Sequence, residues 1–314
     1  MINTLTLNPA MDHILFIDRF ERTVTARVQR KAEALGGKGA HISVNLALLG
    51  AQSRAYGVVF GDTGKRIENE LNGKGVLTRF VHGSGRPGAD SRTNYVVIEE
   101  DGVSTIISEH GVDLGDEDID SVLNMLKEDI ADGDILVLSG DASNVEDPYI
   151  YNRFMEAVEG RDVKTFVDAS GPALAGAAAA APFLIKPNRD ELESLTGIEI
   201  KSEQDGLRAI RALDRHGIGI VALTLGREGS IVRFEDGRAL RALPLDVPVK
   251  NTAGCGDAFL SGLIASTAQG LDAEERLRTA AAVSAATAAD PFTVGFDAEY
   301  AGSLKESVVV EALA

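Results

Sequence analysis

Asn251-Thr252-Ala253-Gly254-Cys255-Gly256-Asp257 is the most informative stretch of the chain. It opens an apolar helical pattern over 258–269, and its small residues leave backbone N–H groups free at the start of that helix. Such a terminus binds an anion through its free donors and its dipole. A carboxylate at Asp257 would then be able to accept a proton from a substrate hydroxyl. The same residues also suit a plain glycine turn with an aspartate at a helix start, so both interpretations stay open here.

Two segments nearer the amino terminus also indicate ligand contacts. Asn8-Pro9-Ala10-Met11-Asp12 follows a strand predicted over 2–7, so Asp12 lies at a strand's carboxyl end, where open α/β sheets bind ligands. Gly36-Gly37-Lys38-Gly39 precedes a helical pattern, and its backbone can approach a ligand closely while Lys38 supplies positive charge. The spacing is not that of a Walker A loop. A turn-capping aspartate and an ordinary glycine turn remain the alternatives.

Two later segments connect a strand end to a helix or a turn in the same way. Lys186-Pro187-Asn188-Arg189-Asp190-Glu191 follows a strand predicted over 183–185. Asn188 and Glu191 have the spacing of a capping box, and they also suit the water shell of a metal bound to phosphate. Thr224-Leu225-Gly226-Arg227-Glu228-Gly229 ends another strand with glycines that allow the close approach of a nucleotide.

Strand and helix patterns alternate along most of the chain, which predicts a mostly parallel sheet with helices on both faces. The predicted strands are 2–7, 52–60, 76–81, 135–138, 165–167, 183–185 and 218–223, and the predicted helices are 62–72, 116–130, 147–158, 188–196, 202–214, 258–269 and 274–289. Two polar segments do not fit this sheet. We predict short exposed strands in the first, as at Val24 to Val28, and a hairpin of 92–99 with 103–108 in the second.

These two segments predict a small β lid, or clasp, beside the main part of a single domain over 1–314. The core would comprise residues 1–11, 36–89 and 109–314, and the lid 12–35 and 90–108. From Asp18 to Lys38 there are six basic and three acidic residues, a local charge of 6 − 3 = +3. A small substrate bearing a phosphate would be attracted to this excess, although a solvated strand surface also explains it.

The composition limits the class of protein. Lys plus Arg is 31 and Asp plus Glu is 48, and the net charge of −17 argues against broad nucleic-acid binding and against adhesion to an anionic membrane. The single cysteine, Cys255, cannot form an internal disulfide, which fits a reducing cytosol. The amino-terminal residues lack the pattern of a signal peptide, and no apolar run is long enough for a membrane span. We therefore expect a cytoplasmic protein.

Taken in order, these motifs resemble those of the PfkB carbohydrate kinases, a family with the ribokinase-like fold. The resemblance runs from Leu7 to about Phe296, and segments 36–39 and 251–257 resemble the two family signatures. Features similar to the 1-phosphofructokinase and tagatose-6-phosphate kinase branch are Leu5-Thr6-Leu7-Asn8-Pro9-Ala10-x-Asp12, Arg92-x-Asn94, Val167-Asp168-Ala169-Ser170-Gly171 and Ile185-Lys186-Pro187-Asn188. The resemblance implies an α/β three-layer sandwich with a mostly parallel central sheet and a small β lid.

The resemblance also implies a role for each candidate residue. Asp257 would be the catalytic base, and Gly254, Cys255 and Gly256 would form the anion hole. The implied contacts to the sugar phosphate are Asp12, Gly37, Lys38, His41, Arg92 and Asn94, and those to ATP are Lys186, Asn188, Thr224, Gly226 and Gly229. Asn188 and Glu191 would organise Mg²⁺ through water. The implied assembly is a homodimer formed through the β lid.

Three positions depart from the branch. His41 stands where the branch has an asparagine that helps hold the sugar, and Cys255 replaces a usual alanine. After Leu138-Ser139-Gly140 the branch continues Ser-Leu-Pro, whereas this chain has Asp141-Ala142-Ser143. A carboxylate at Asp141 would repel a sugar phosphate if it faced the site.

We therefore predict an ATP-dependent sugar-phosphate kinase that converts a phosphorylated ketohexose to a bisphosphate, with fructose 1-phosphate as the first candidate substrate. Tagatose 6-phosphate is the second candidate, and a kinase for an unphosphorylated sugar or a nucleoside is a further alternative. A non-catalytic sugar-binding regulator is less favoured, because a pure binder needs no base beside an anion hole.

Overall fold

Two β-sheets and ten α-helices make up the part of the chain that the computed structural model describes, residues 1–83 and 86–313. Ser84 and Gly85, which belong to the predicted core range 36–89, lie outside the described residues, as does Ala314. Within the described ranges, no helix combines the length and the apolarity that crossing a membrane requires.

The elements follow one another in an order close to that predicted from the hydrophobic pattern. Up to residue 129 they are β1 (Ile2–Thr6), β2 (Ala10–Phe16), β3 (Arg30–Gly36), α1 (Lys38–Leu48), β4 (Ser53–Val59), α2 (Gly61–Gly73), β5 (Leu77–His82), β6 (Arg92–Ile98), β7 (Ser104–Ser108) and α3 (Asp116–Asp129). From residue 135 they are β8 (Ile135–Ser139), α4 (Ile150–Glu156), β9 (Lys164–Asp168), α5 (Gly171–Ala179), β10 (Leu184–Ile185), α6 (Arg189–Thr196), α7 (Glu203–Arg211), β11 (Ile220–Thr224), β12 (Ser230–Arg233), β13 (Ala239–Ala242), α8 (Cys255–Ala268), α9 (Ala273–Ala288), α10 (Ala298–Lys305) and β14 (Val310–Leu313).

The larger sheet has ten strands in the order β14-β13-β12-β11-β10-β9-β8-β1-β4-β5. The strands from β11 to β5 in this order run parallel, and β12, β13 and β14 form an antiparallel edge that the sequence patterns did not indicate. The strand order reverses at β1, which lies between β8 and β4. Such a reversal opens a crevice at the carboxyl ends of the strands, where open sheets bind ligands.

Helices cover both faces of this sheet, because its strands alternate between two hydrophobic cores. In β8, Leu136 and Leu138 face the core that α3 to α7 cover, while Ile135 and Val137 face the core formed with α1, α8 and α9. This alternation is the period-two geometry of a strand that is buried on both sides. The predicted α/β sandwich with a mostly parallel central sheet is therefore confirmed.

The smaller sheet has four strands in the order β3-β2-β6-β7 and lies outside the main sheet. Ile14, Ala34, Val96 and Ile98 form its small core. The predicted hairpin is present, since β6 pairs antiparallel with β7 and Gly102 adopts φ 83° in the turn. The strand predicted at Val24 to Val28 is wrong. That segment belongs to the connection from β2 to β3, where its apolar side chains are exposed and bury nothing, whereas β2 and β3 pair over seven residues.

Helices α8 and α9 pack closely because both present small residues at their contact. Gly262 of α8 lies against the backbone of Ala280 in α9, and an added Cβ at Gly262 would come within 2.6 Å of the Ala280 Cα. Ten residues of α8 are buried, so this helix has little freedom to move away. The contact thus fixes the position of α8, whose first turn carries the sequence 255–257.

The close contact of α8 with α9 predicts the effect of one methyl group. We expect Gly262→Ala to lower the free energy of unfolding by about 1–3 kcal/mol, since overpacking moves one helix against the other. The matched control is Gly302→Ala in α10, where an added Cβ meets nothing within 4 Å and helix propensity favours alanine. Urea denaturation of both variants tests this, and an unchanged stability of Gly262→Ala would contradict the packing.

Candidate active site

The first turn of α8 presents free backbone donors at the carboxyl edge of the main sheet. Gly254, the residue before the helix, adopts φ 81°, and a Cβ there would collide with the carbonyl oxygen of Thr293. The N–H of Ala258 donates to the carbonyl of Gly254, and no side chain among the described residues caps the turn. The N–H groups of Cys255 and Gly256 therefore remain available to an anion.

Asp257 is the third residue of α8 and is buried. Its Oδ2 lies 2.7 Å from Nδ1 of His41, and its backbone carbonyl accepts a hydrogen bond from Ser261. In the described ranges, its other carboxylate oxygen, Oδ1, has no hydrogen-bond partner. One oxygen of Asp257 is thus held by the protein while the other is free to accept a bond from a substrate.

His41 lies on α1 and uses both ring nitrogens within the protein. Besides its contact with Asp257, its Nε2 lies 2.9 Å from the carbonyl oxygen of Leu35. Burial, the largest effect, lowers the pKa of His41, but the hydrogen bond and charge of Asp257 and the charge of Asp12 together raise it above its ordinary value. The sugar contact predicted for His41 stays a prediction, and the structure adds a contact with Asp257 that the sequence did not indicate.

Cys255 lies two residues before Asp257 and has an unreactive thiol. Burial raises the pKa of its thiol to about 12, and the nearby charge of Asp257 acts in the same direction. The thiol therefore stays protonated at neutral pH and acts as a small side chain beside the anion-binding turn.

A buried carboxylate, Asp168, holds two lysines at the same edge. Its Oδ1 lies 2.9 Å from Nζ of Lys38 and its Oδ2 lies 3.2 Å from Nζ of Lys186. Burial alone would raise the pKa of Asp168, but the two ammonium groups lower it. Burial disfavours the charged form of Lys38, yet the charges of Asp168 and Asp257 raise its pKa. A Cβ at Gly256 would lie 3.4 Å from Nζ of Lys186, so this ammonium group adjoins the free turn of α8.

Asp12 and Asn94 form a second polar group, on the smaller sheet. The two residues stand opposite each other in the parallel pair β2 and β6, and Asn94 Nδ2 donates to Asp12 Oδ1 at 2.9 Å. Thr293 donates its hydroxyl to Asp12 Oδ2 at 3.2 Å. Burial, the largest effect, raises the pKa of Asp12 despite these bonds and the nearby positive groups. Gly37, the residue before α1, adopts φ 95° and lies against the Asn8-Pro9 segment.

Arg92 lies on the same strand as Asn94, two residues away, and is almost fully buried. Its Nε donates to the carbonyl of Asn8 at 3.1 Å, and its Nη1 lies 2.9 Å from Oδ2 of Asp141. Although burial disfavours the charged carboxylate, hydrogen bonds from Ser143 and the charge of Arg92 lower the pKa of Asp141. The extra carboxylate noted in the sequence thus faces Arg92.

A cavity of about 450 Å³ opens beside the first turn of α8. Its lining includes Asn188, Thr224, Gly226, Gly229, Cys255 and Gly256. Ligand cavities in proteins commonly have volumes of about 300–1,000 Å³. The structure therefore brings four of the five residues predicted to contact a nucleotide into one cavity, while the fifth, Lys186, lies next to Gly256 at its edge.

Asn188 and Glu191 form the capping box that their spacing indicated. The side chain of Asn188 accepts a hydrogen bond from the N–H of Glu191 at 2.9 Å, and Oε2 of Glu191 accepts one from the N–H of Asn188 at 2.9 Å. Ser170 donates its hydroxyl to Oε1 of Glu191 at 2.9 Å. The carboxylate is therefore held in place at the start of α6.

Two residues of this site were not among the predicted ones. Asp168 ends β9, and a charged residue at the carboxyl end of an apolar strand is a signal that can be found in the sequence. Thr293 lies in an irregular segment close to the carboxyl end of the chain, and its contact with Asp12 spans 281 positions. No local pattern marks such a residue.

The fold and the site define a phosphotransferase that uses an alcohol group as acceptor. A family profile described as "pfkB family carbohydrate kinase" matches residues 5–294, and the chain belongs to this family. It is 32% identical over 281 residues to a 1-phosphofructokinase of Haloferax volcanii, with 88% of each chain covered. It is 30% identical over 288 residues to that of Bacillus subtilis, with 92% of each covered. The fold matches phosphofructokinase-2 from Escherichia coli in complex with substrates and products, with a TM-score of 0.88, 22% identity and 98% of each chain covered.

The cluster of Asp168 with two lysines predicts a linked loss of stability and activity. We expect Asp168→Asn to lower the free energy of unfolding by about 3–5 kcal/mol, because it leaves buried ammonium charge uncompensated. It should also lower kcat/KM, since Lys38 and Lys186 lose the group that positions them. Urea denaturation and steady-state ATP turnover measure the two effects.

Asp134→Asn is the matched control for this experiment. Asp134 is also buried and bonds the amino group of Met1 and the amide of Asn3, but it lies at the opposite edge of the sheet, before β8. We expect this variant to lose stability while kcat/KM is unchanged. Equal kinetic losses in both variants would mean that the effect of Asp168 is general destabilisation.

Proposed function

We propose that the protein is an ATP-dependent kinase for fructose 1-phosphate, which it converts to fructose 1,6-bisphosphate. The observation that carries this proposal is the position of Asp257. Its free Oδ1 lies at the first turn of α8, which has unbonded N–H groups and lines the large cavity. Asp12 lies on the other side of His41, 3.9 Å from its Nε2. The motifs of the 1-phosphofructokinase branch, and relatives of that name at about 30% identity, support the choice of sugar.

In the proposed reaction, Asp257 is the general base. Its Oδ1 takes the proton of the acceptor hydroxyl as that oxygen attacks the γ-phosphorus of ATP, and the bond from this phosphorus to the ADP oxygen breaks. The N–H groups of Cys255 and Gly256, after the turn at Gly254, and the ammonium group of Lys186 stabilise the charge on the transferred phosphoryl oxygens. Donors fixed by a helix start and by a buried ion pair need little reorganisation for this task.

The nucleotide would occupy the cavity, with Thr224, Gly226 and Gly229 along one wall. Mg²⁺ would be held by Asn188 and Glu191 through water. The Glu191 carboxylate fits this role because it is fixed by two hydrogen bonds and keeps further lone pairs for water molecules. Mg²⁺ is commonly bound by one or two carboxylates together with substrate phosphates, and it would neutralise charge on the phosphate chain.

The sugar phosphate would lie against the smaller sheet. Asp12 and Asn94, with the backbone at Gly37, would bind sugar hydroxyls, and His41 closes this side of the site. Arg92 and Lys38 would bind the phosphate, since a guanidinium offers a planar pair of donors and an ammonium group a compact charge. Under this proposal residues 1–314 form one kinase domain, and the segments 12–35 and 90–108 act as a lid over the substrate.

One observation favours a second candidate, a kinase for an unphosphorylated sugar. Arg92 already has an anionic partner in Asp141, so a substrate phosphate must share or replace that contact. A panel of fructose 1-phosphate, tagatose 6-phosphate, fructose and nucleosides distinguishes the candidates. Fructose 1-phosphate should give the highest kcat/KM, and a preference for fructose or a nucleoside would establish the second candidate instead.

We further propose a cytoplasmic homodimer that forms through the smaller sheet. Tyr95 and Ile107 stand opposite each other in the pair of β6 and β7 and are exposed on one face of this sheet, and exposed apolar patches often mark protein interfaces. A single cysteine, which cannot form an internal disulfide, suits a reducing compartment. Light scattering of the protein, with and without Ile107→Glu, tests the assembly.

The role of Asp257 predicts the kinetics of its amide variant. We expect Asp257→Asn to keep the fold and ATP binding and to lower kcat by about 10²- to 10⁴-fold, the usual contribution of a general base. Circular dichroism and nucleotide titration verify the fold and ATP binding, and initial rates give kcat. A variant that keeps more than about a tenth of the turnover would assign the base to another group.

The contact of Asp141 with Arg92 predicts opposite effects of two substitutions. We expect Asp141→Asn to lower KM for fructose 1-phosphate by about three- to tenfold. The substitution removes an ion pair with Arg92, worth about 1 kcal/mol, that competes with the substrate phosphate for the guanidinium. Arg92→Ala should raise this KM by about tenfold or more, the loss of one charge-assisted hydrogen bond. Neither change should alter KM for fructose. An unchanged KM in both variants would mean that the phosphate binds elsewhere.

A further inference from the structure

His41 stands among groups that are negative or that only accept hydrogen bonds. Its Nδ1 lies 2.7 Å from Oδ2 of Asp257 on α8, and its Nε2 lies 2.9 Å from the carbonyl oxygen of Leu35 on β3. Oδ2 of Asp12, on β2, is 3.9 Å from Nε2. On its own helix the nearest charged residue is Lys38, whose ammonium group is held by Asp168. These three acceptors therefore favour hydrogens on both ring nitrogens.

The acceptors beside the two ring nitrogens of His41 determine how many hydrogens the ring and its partners share. The Leu35 carbonyl can only accept, so Nε2 of His41 carries a hydrogen. A second hydrogen must lie between Nδ1 and Asp257, because a ring lone pair facing a carboxylate lone pair would be repulsive at 2.7 Å. That hydrogen belongs either to an imidazolium facing a carboxylate or to a neutral ring facing a carboxylic acid.

Only the first of these two states leaves Asp257 able to act as a base. An imidazolium bonded to Oδ2 keeps the carboxylate ionised and fixes its rotation, so Oδ1 faces outward with its lone pairs free. The carboxylate of Asp12 favours this state further, since a second negative group near the ring stabilises its positive charge. The raised pKa of His41 agrees with this assignment.

We propose that His41 is a positioning residue that, as an imidazolium, holds Oδ2 of Asp257 so that Oδ1 faces the acceptor hydroxyl. The proposal rests on Asp257 being the catalytic base. The proton of the hydroxyl goes to Oδ1 and the hydroxyl oxygen bonds to phosphorus, while His41 keeps both of its hydrogens throughout. His41 thus acts through Asp257 and makes no bond to the reacting atoms.

This role gives the reaction a dependence on alkaline pH. When pH rises through the pKa of His41, Nδ1 loses its hydrogen and its lone pair turns toward Oδ2 of Asp257. The carboxylate then loses its anchor and rotates. Because the folded-state pKa of His41 is raised, the anchored state persists above the ordinary pKa of a histidine and is lost as the pH rises through the raised pKa. An asparagine at this position, as in the branch that the chain resembles, donates a hydrogen that does not titrate in this range.

The test compares pH profiles of kcat for the wild type, His41→Asn and His41→Ala. We expect the wild type to lose activity at alkaline pH, and His41→Asn to retain turnover and lack that alkaline decline. His41→Ala should lower kcat by about tenfold or more while KM for ATP stays unchanged, the expected loss of one charge-assisted hydrogen bond. A merely structural role would lower stability in both variants and leave the shape of the profile unaltered.

His110→Asn is the matched control for these profiles. His110 also pairs with a carboxylate, that of Asp113 at 2.8 Å, but both residues are exposed and the partner is not Asp257. Its profile should coincide with that of the wild type. If it lacked the alkaline decline as well, the decline would not report on His41 and the proposal would fail.

NMR of the histidine rings gives a readout that needs no turnover. The chain has five histidines, and the signals of His41 are those missing in His41→Asn. We expect an imidazolium near neutral pH in the wild type, and a lower pKa in Asp257→Asn because the partner's charge is gone. A neutral ring in the wild type would overturn the proposal.

The outcomes separate this inference from the proposed function. If Asp257→Asn is inactive while the wild type and His41→Asn have the same pH profile, His41 has no role in holding the base and only this inference fails. If Asp257→Asn retains turnover, the base is another group and both fail. An inactive Asp257→Asn together with a decline confined to proteins that contain His41 supports both.

Discussion

The active-site edge of this protein depends on one buried carboxylate that neutralises two lysines. Asp168 has almost no exposed surface, and burying it without partners would cost far more than a single hydrogen bond can return. Lys38 begins α1 and Lys186 follows β10, so the ion pairs tie a helix and two neighbouring strands at one point. The free turn of α8, the cavity and the Asp257 carboxylate are arranged around that fixed charge.

The pairing of acidic with basic side chains near the site also explains how an acidic chain can bind anions. The net charge of −17 is carried mostly by surface residues, whereas three acids near the site each pair with a basic side chain. Asp168 has two lysines, Asp257 has His41, and Asp141 has Arg92. Opposite charges a few ångströms apart largely cancel at a distance, so the site presents its N–H groups and the partly exposed side chain of Lys38 without a strong local negative field.

The sequence predicted the elements and the edge where the site lies, because both follow from local patterns. Hydrophobic periodicity located the parallel strands, the end of a strand marked Asn188, and the glycine-rich start of a helix marked Asp257. Asp12, expected at the carboxyl end of the first strand, instead lies within β2 of the smaller sheet. The hydrophobic pattern did not indicate the antiparallel edge strands, which are short, or α5, an alanine-rich segment without polar periodicity. The contact of His41 with Asp257 spans 216 positions and follows from side-chain directions in the folded chain, so no spacing rule could reveal it.

The glycine and alanine contact between α8 and α9 also bears on how this protein can change over generations. Gly262 is already the smallest residue, and Ala280 can only be replaced by something larger or by glycine, which weakens a helix. Apart from Ala280→Gly, every substitution at this contact therefore adds side-chain volume, and each addition displaces the helix that carries Asp257. Selection for turnover would hold these distant, chemically inert positions as firmly as the catalytic ones.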